Sequence, residues 1–193
     1  MVSLTAVLQR VWHFIWHEDS FASWLVNLVL AFVLVKFLVY PGLGLLLGTH
    51  FPIVAVVSGS MEHRGLSFDD WWERSGAWYE EHSLSKEEFA QFSFVRGFNK
   101  GDIMVLRGIE PEAIKRGDVV VYRSQLNKNP IIHRVVAFEG NQGRSFITKG
   151  DNNAAPDRVP VDASQIAGTG KAVMRLPYLG WIKIWFVSLI GGA

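Results

Sequence analysis

The chain has no cysteine among its 193 residues. That excludes a disulfide scaffold, a thiol nucleophile, and any zinc or iron–sulfur site built on thiolates. It does not exclude an exported location, because not every exported domain needs a disulfide. Charge is also scarce. Charged side chains make up 19% of residues, against about 25% in ordinary soluble domains. The net charge is only +1, from 19 basic and 18 acidic side chains. A balance so close to zero argues against a general polyanion binder, so no nucleic-acid partner is expected. Disorder is excluded by a hydrophobic content of 49%. The length allows one ordinary domain plus a small addition. Few charges and much apolar surface describe a chain that lies partly out of water.

The small net charge conceals an asymmetry. Residues 1–61 hold Arg10 and Lys36 against Glu18 and Asp19 and sum to zero. Residues 62–98 hold four basic and eight acidic side chains. Residues 99–193 hold thirteen basic and eight acidic ones. The chain is thus divided into an apolar start, an acidic middle and a mildly basic remainder.

In the apolar start, Leu4, Leu8, Val11, Trp12 and Ile15 recur at helical spacing. They predict an amphipathic helix within residues 1–20, lying on a membrane surface or packed on the following domain. Neither the basic start nor the small-residue cleavage site of a secretory leader is visible. Phe21 to Tyr40 then reads FASWLVNLVLAFVLVKFLVY, twenty residues with a single charge. At about 1.5 Å per residue such a helix crosses a hydrocarbon core of about 30 Å. Lys36 is close enough to the end to carry its ammonium to the interface. Pro41 and Gly42 are expected to break or kink the helix, and the apolar run resumes through Leu47. A buried core helix is the alternative, but the remaining chain is small for wrapping so apolar a segment.

The acidic middle predicts short helices. Ser67 precedes an acidic first turn, and Ser85 with Glu88 forms a capping box. Trp71, Trp72, Trp78 and Tyr79 crowd this stretch, either as interfacial aromatics or packed onto the domain. The pairs Asp69/Asp70, Glu80/Glu81 and Glu87/Glu88 have no metal-ligand spacing and read as solvated helix faces. From Lys100 the period shifts towards two. GDIMVLR, GDVVVYR, PIIHRVVAFEG, RSFITKGD and AGTGKAVMRL are short β-branched runs separated by Gly, Asn and Pro. Gly101-Asp102 and Gly117-Asp118 introduce two of them in the same way. The final YLGWIKIWFVSLI, thirteen residues long, is short for a membrane span.

The chemistry centres on Ser60, in Ser58-Gly59-Ser60-Met61 just past the apolar segment. A serine nucleophile needs a base, and the base needs an orienting group. Of the six histidines, only His133 lies inside an expected strand, where a base would be held rigidly. On location alone it reads equally as a structural histidine at a sheet surface. Asp151 and Asp157 bracket the loop GDNNAAPD, where an orienting carboxylate is expected; turn chemistry accounts for them as well.

Taken in order, SGSM after a membrane span, two GD-strand units, IIHRV and KGDNNAAPD closely resemble type I signal peptidase. The match is to the Ser-His-Asp branch found in archaea and the endoplasmic reticulum; the bacterial branch has a lysine where His133 stands. The resemblance covers residues 21–61 and 99–183. It implies Ser60 as nucleophile, His133 as general base and Asp157 as the residue that orients the imidazole. Asp151 matches a second aspartate that orders the loop or shares the orienting task. The Ser60 N–H would serve the oxyanion, with Ser58 at the place of the bacterial branch's hydroxyl donor.

The implied fold is mainly β, an antiparallel catalytic domain with an N-terminal transmembrane helix and a helical insert. The expected layout is an amphipathic helix over 1–20, a membrane span over 21–47, the β catalytic domain over 48–177 with its insert at 62–98, and an apolar interfacial segment over 178–193. The resemblance implies a membrane-bound serine endopeptidase that removes signal peptides from secreted preproteins after small residues at −1 and −3. The substrate's cleavage region would be extended and would add as a strand to the β domain. It implies no metal or cofactor. The expected partners are preproteins, membrane lipid and a secretion-complex partner held through residues 62–98. The expected location is a cell membrane crossed once, with the β domain on the extracytoplasmic or lumenal side. Two other functions fit the same residues: a non-catalytic membrane subunit of a secretion complex, and a membrane-anchored serine protease for another surface-protein precursor.

Overall fold

Residues 3–124, 129–139, 145–166 and 168–189 are described by the structure, a computed structural model. Residues 1–2 and 190–193 of the expected terminal segments lie outside the described residues, as do Gly140, Arg144 and Ala167 of the expected strand runs. Met1–Leu46 and Leu47–Ala193 form two compact units.

In the first unit, a helix over Leu4–Trp16 is capped by Ser3, whose hydroxyl accepts from the N–H of Ala6. A second helix runs over Phe21–Leu47, 27 residues, and among the described residues it alone is long and apolar enough to cross a membrane. Its length corresponds to about 40 Å. Two of its polar side chains reach back to the first helix. Ser23 Oγ donates to the Phe14 carbonyl at 2.6 Å, and Asn27 Nδ2 to the Ile15 carbonyl at 2.8 Å. Those carbonyls belong to the last turn of the first helix, which has no intrahelical donors for them.

The expected break at Pro41-Gly42 is not seen. The helix continues through both residues, and the turn just before them, Val35–Val39, widens to a π-helical one. Proline has no N–H to donate, and its ring crowds the carbonyl four residues earlier, here that of Phe37. The wider turn absorbs that mismatch without ending the helix.

The second unit is built on seven strands: β1 (Ile53–Ala55), β2 (Ile103–Arg107), β3 (Val119–Tyr122), β4 (Ile131–Glu139), β5 (Ser145–Lys149), β6 (Val161–Asp162) and β7 (Gly170–Leu176). They form one antiparallel sheet in the order β1-β2-β7-β3-β4-β5-β6. The mainly β expectation holds. β3 shows why its run is continuously apolar. Val119 and Val121 enter one core cluster with Val56, Met61 and Phe98, while Val120 and Tyr122 enter another with Val135 and Phe146. Both faces of this central strand are covered, so both sets of alternating side chains are buried.

The two GD units are structurally equivalent. Gly101 and Gly117 have φ of 89° and 91°, which a side chain disfavours. The carboxylate that follows each glycine accepts a backbone N–H three residues upstream, Asn99 onto Asp102 and Lys115 onto Asp118. Each carboxylate also pairs with a cation on β7: Asp102 with Arg175 and Asp118 with Lys171. β7 lies between β2 and β3, so one strand meets both turns.

Between β1 and β2 the chain forms three short helices, Phe68–Ser75, Ala77–Glu81 and Lys86–Phe89. Ser67 and Ser85 cap the first and third. Trp71, Trp72, Tyr79, Leu84 and Phe89 are buried together with Val136 of β4, so the aromatic cluster packs onto the sheet. The acidic pairs remain on exposed faces. The last helix, Trp181–Leu189, exposes Ile182, Trp185, Phe186 and Leu189.

Candidate active site

Ser60 lies in the turn that follows β1, and His133 lies on β4. Ser60 Oγ is 3.0 Å from His133 Nε2, and His133 Nδ1 is 2.7 Å from Asp157 Oδ2. His133 is nearly buried at 6% exposure, which holds the ring in place. The same Asp157 oxygen accepts from the Tyr122 hydroxyl at 2.7 Å and from Thr148 Oγ1 at 2.6 Å. Burial opposes the charge on Asp157, but the hydrogen bonds and charge of His133, with help from Thr148 and Tyr122, hold its pKa below the ordinary value. An ionised Asp157 can only accept, so His133 Nδ1 carries the proton and Nε2 is left to accept from Ser60. Burial pushes the Tyr122 hydroxyl upward, so it stays a donor.

Strand alternation explains why these groups meet. Val120 opposes His133, Tyr122 opposes Ile131, and Thr148 opposes Val135. His133, Tyr122 and Thr148 therefore share one face of the sheet. Arg134, the next residue along, points the other way and takes the other aspartate. Its guanidinium meets Asp151 through Nε at 2.9 Å and Nη2 at 2.8 Å. It also donates to the carbonyls of Ser93, Gly117 and Phe94. Arg134 and Asp151 have no exposed side-chain surface. His63 Nε2 lies 3.1 Å from the second Asp151 oxygen, and its ring stacks on Trp71 at 3.8 Å. Burial alone would raise the Asp151 pKa, but the Arg134 charge and the hydrogen bonds from His63 and Arg134 bring it down to about 2.

The loop between the two aspartates supports the serine turn. Asn152 donates its N–H to the Ser60 carbonyl at 2.8 Å and its Nδ2 to the Gly59 carbonyl at 2.9 Å. Gly150 sits so close that a Cβ there would come within 2.7 Å of the Ser60 carbonyl oxygen and 2.9 Å of His133 Nε2. Ser58 Oγ is 3.2 Å from Ser60 Oγ. Among the described residues, no group of three or more His, Asp and Glu is placed to hold a metal ion.

Ser60, His133 and Asp157 are thus brought into one hydrogen-bonded line, and Ser58 lies beside them. Asp151 is elsewhere: it engages Arg134 and His63. No family model matches the chain. A signal peptidase complex catalytic subunit SEC11 from Scheffersomyces stipitis is 32% identical over 167 residues, covering 81% of this chain and 79% of the relative. The subunit of that name from Lachancea thermotolerans is 33% identical over 161 residues, covering 77% and 74%. The catalytic subunit SEC11C of Homo sapiens is 29% identical over 154 residues, covering 76% and 63%.

The chain belongs to the SEC11 family of signal peptidase catalytic subunits. The resemblance drawn from the four ordered motifs is therefore borne out. Within this SEC11-family site, sequence reasoning did not single out Tyr122, Thr148, Arg134 or Asn152. The alternation of β4 would have shown that His133 and Arg134 face opposite ways. The pairing of Thr148 and Tyr122 with Asp157 needed the strand register.

Proposed function

We propose that this chain is a membrane-bound serine endopeptidase that removes signal peptides from preproteins, with Ser60, His133 and Asp157 as its catalytic residues. The observation that carries the reading is the line Ser60 Oγ, His133 imidazole, Asp157 carboxylate, joined at 3.0 and 2.7 Å in a SEC11-family chain. Ser60 Oγ attacks the scissile carbonyl as His133 Nε2 takes its proton. His133 then gives that proton to the leaving amine, and a water attacks the acyl-enzyme by the reverse sequence. Asp157 holds the Nδ1–H tautomer and stabilises the imidazolium. The Ser60 N–H and the Ser58 hydroxyl stabilise the oxyanion. Asp151 orders the loop behind the site.

The apolar helix Phe21–Leu47 anchors the enzyme in the membrane, so that the search for a membrane-held signal peptide is confined to two dimensions. The β unit works on the extracytoplasmic or lumenal side. The domain layout belonging to this proposal is a surface helix over 1–20, the β catalytic domain over 48–177 with its insert at 62–98, and the segment from 178 at the bilayer interface. Its exposed Ile182, Trp185, Phe186 and Leu189 suit that boundary. The SEC11 relatives are subunits of a complex by name, and this chain acts with partner subunits in the same way. The exposed acidic face of residues 62–98 is the surface offered to them.

The test is cleavage of a preprotein by the full chain in liposomes, compared with Ser60→Ala. Cleavage after the small-residue site that is lost in Ser60→Ala supports the reading. A substrate panel varied at −1 and −3 tests the specificity: efficient cleavage after bulky residues would count against a signal peptidase.

A further inference from the structure

Lys149 is a buried amine with no carboxylate within ion-pair distance among the described residues. It opposes Arg134 in the β4–β5 ladder and so lies on the Asp151 face of the sheet. Its Nζ donates to the Tyr79 hydroxyl oxygen at 3.2 Å and to the carbonyl of Gly150 at 3.3 Å. The ammonium also lies 4.6 Å from the Tyr79 ring centroid and 5.2 Å from that of Trp78. Tyr79 is fully buried and donates onward towards Asp151 at 3.5 Å. The residue that Lys149 grips is the glycine that touches both Ser60 and His133, with no room there even for a methyl group.

We propose that Lys149 and Tyr79 are positioning residues for Ser60 and His133, acting through Gly150. On this inference, which rests on the proposed function, residues 62–98 form the rear wall of the active site through Tyr79. A small displacement of reacting groups costs rate steeply, and a charge-assisted hydrogen bond is about twice as strong as a neutral one. The grip is therefore firmest when Lys149 is charged. The groups that face it are Tyr79 on the helix Ala77–Glu81, Arg134 on β4 and Asp151 on the loop after β5, and the charge of Asp157 on the same loop acts on it from the other face. Burial dominates, and the Arg134 charge adds to it, against the two aspartates. Together they lower the Lys149 pKa from 10.5 to about 8. The grip weakens as pH rises through that range.

The experiment is steady-state cleavage of a preprotein by the full chain in liposomes, from about pH 6 to about pH 10, for wild type, Lys149→Met and Tyr79→Phe. Lys149→Met is expected to lower kcat about tenfold with KM within about twofold, and to lose the alkaline limb near pH 8. Tyr79→Phe removes an acceptor of the ammonium, so its alkaline limb moves to lower pH. Lys149→Met should melt no lower than wild type at neutral pH, because a buried charge is gone; this separates the kcat loss from unfolding. An alkaline limb unmoved in both variants, or kcat unchanged in Lys149→Met, overturns this inference alone. Wild-type cleavage by Ser60→Ala overturns the assignment of Ser60 and the inference with it.

Discussion

Arg134 and Asp151 form a two-point pair with no exposed side-chain surface. One residue earlier on the same strand, His133 meets Asp157 on the opposite face. Two neighbouring residues thus divide the two aspartates of the GDNNAAPD loop between a structural and a proposed catalytic task.

That division predicts different consequences for two conservative changes. Asp157→Asn should keep the fold and lower kcat about 10⁴-fold, since the wrong imidazole tautomer is then favoured. Asp151→Asn should unfold more easily, by about 3–5 kcal/mol, because Arg134 is left buried without its counter-charge. Thermal melts and single-turnover cleavage of both variants separate the two effects. His133→Ala should cost at least as much activity as Ser58→Ala, because it removes the base. Full activity in His133→Ala would contradict the proposed roles.

Gly150→Ala should reduce turnover about 10²-fold or more with little change in KM. Its Cβ would come within 3 Å of both the Ser60 carbonyl and His133 Nε2, so those groups must shift. Asn152→Ala should do the same more mildly, since it loses only the bond to the Gly59 carbonyl. Steady-state kinetics on one preprotein checks both, and wild-type kcat in Gly150→Ala would refute this picture of the loop.

Ser58→Ala should lower kcat about 10²–10³-fold without abolishing it, if the hydroxyl now 3.2 Å from Ser60 Oγ turns to the oxyanion. A loss no greater than twofold would leave the Ser60 N–H as the donor that matters.

The pH dependence of stability should carry two opposite signatures. Asp151 has its folded pKa lowered from 3.8 to about 2. Its stabilising contribution, about 2 kcal/mol, is therefore full above pH 4 and lost as pH falls through about 2. Lys149 also has its folded pKa lowered, but it is a base. Between about pH 8 and 10.5 the unfolded chain holds more protons at this site than the folded one, so stability rises with pH there. Denaturant midpoints of wild type minus Asp151→Asn, and minus Lys149→Met, across pH isolate each contribution.

Local chemistry was enough to determine much of this protein from its sequence. The membrane helix follows from an apolar run, and the strands from β-branched runs bounded by glycine. The serine, the histidine and the two aspartates are legible because each sits in a short, ordered motif. Three things only the tertiary structure decided. Pro41 passes through the helix because the preceding turn widens, an adjustment no residue code announces. The pairing of His133 with Asp157, and of Arg134 with Asp151, depends on strand alternation and register, which set His133 and Arg134 on opposite faces and bring up Tyr122 and Thr148 from other strands. The link from residues 62–98 to the serine runs through Tyr79, Lys149 and Gly150. Tyr79 and Lys149 are 70 residues apart, and the sheet brings them together because both faces of its central strands must be covered.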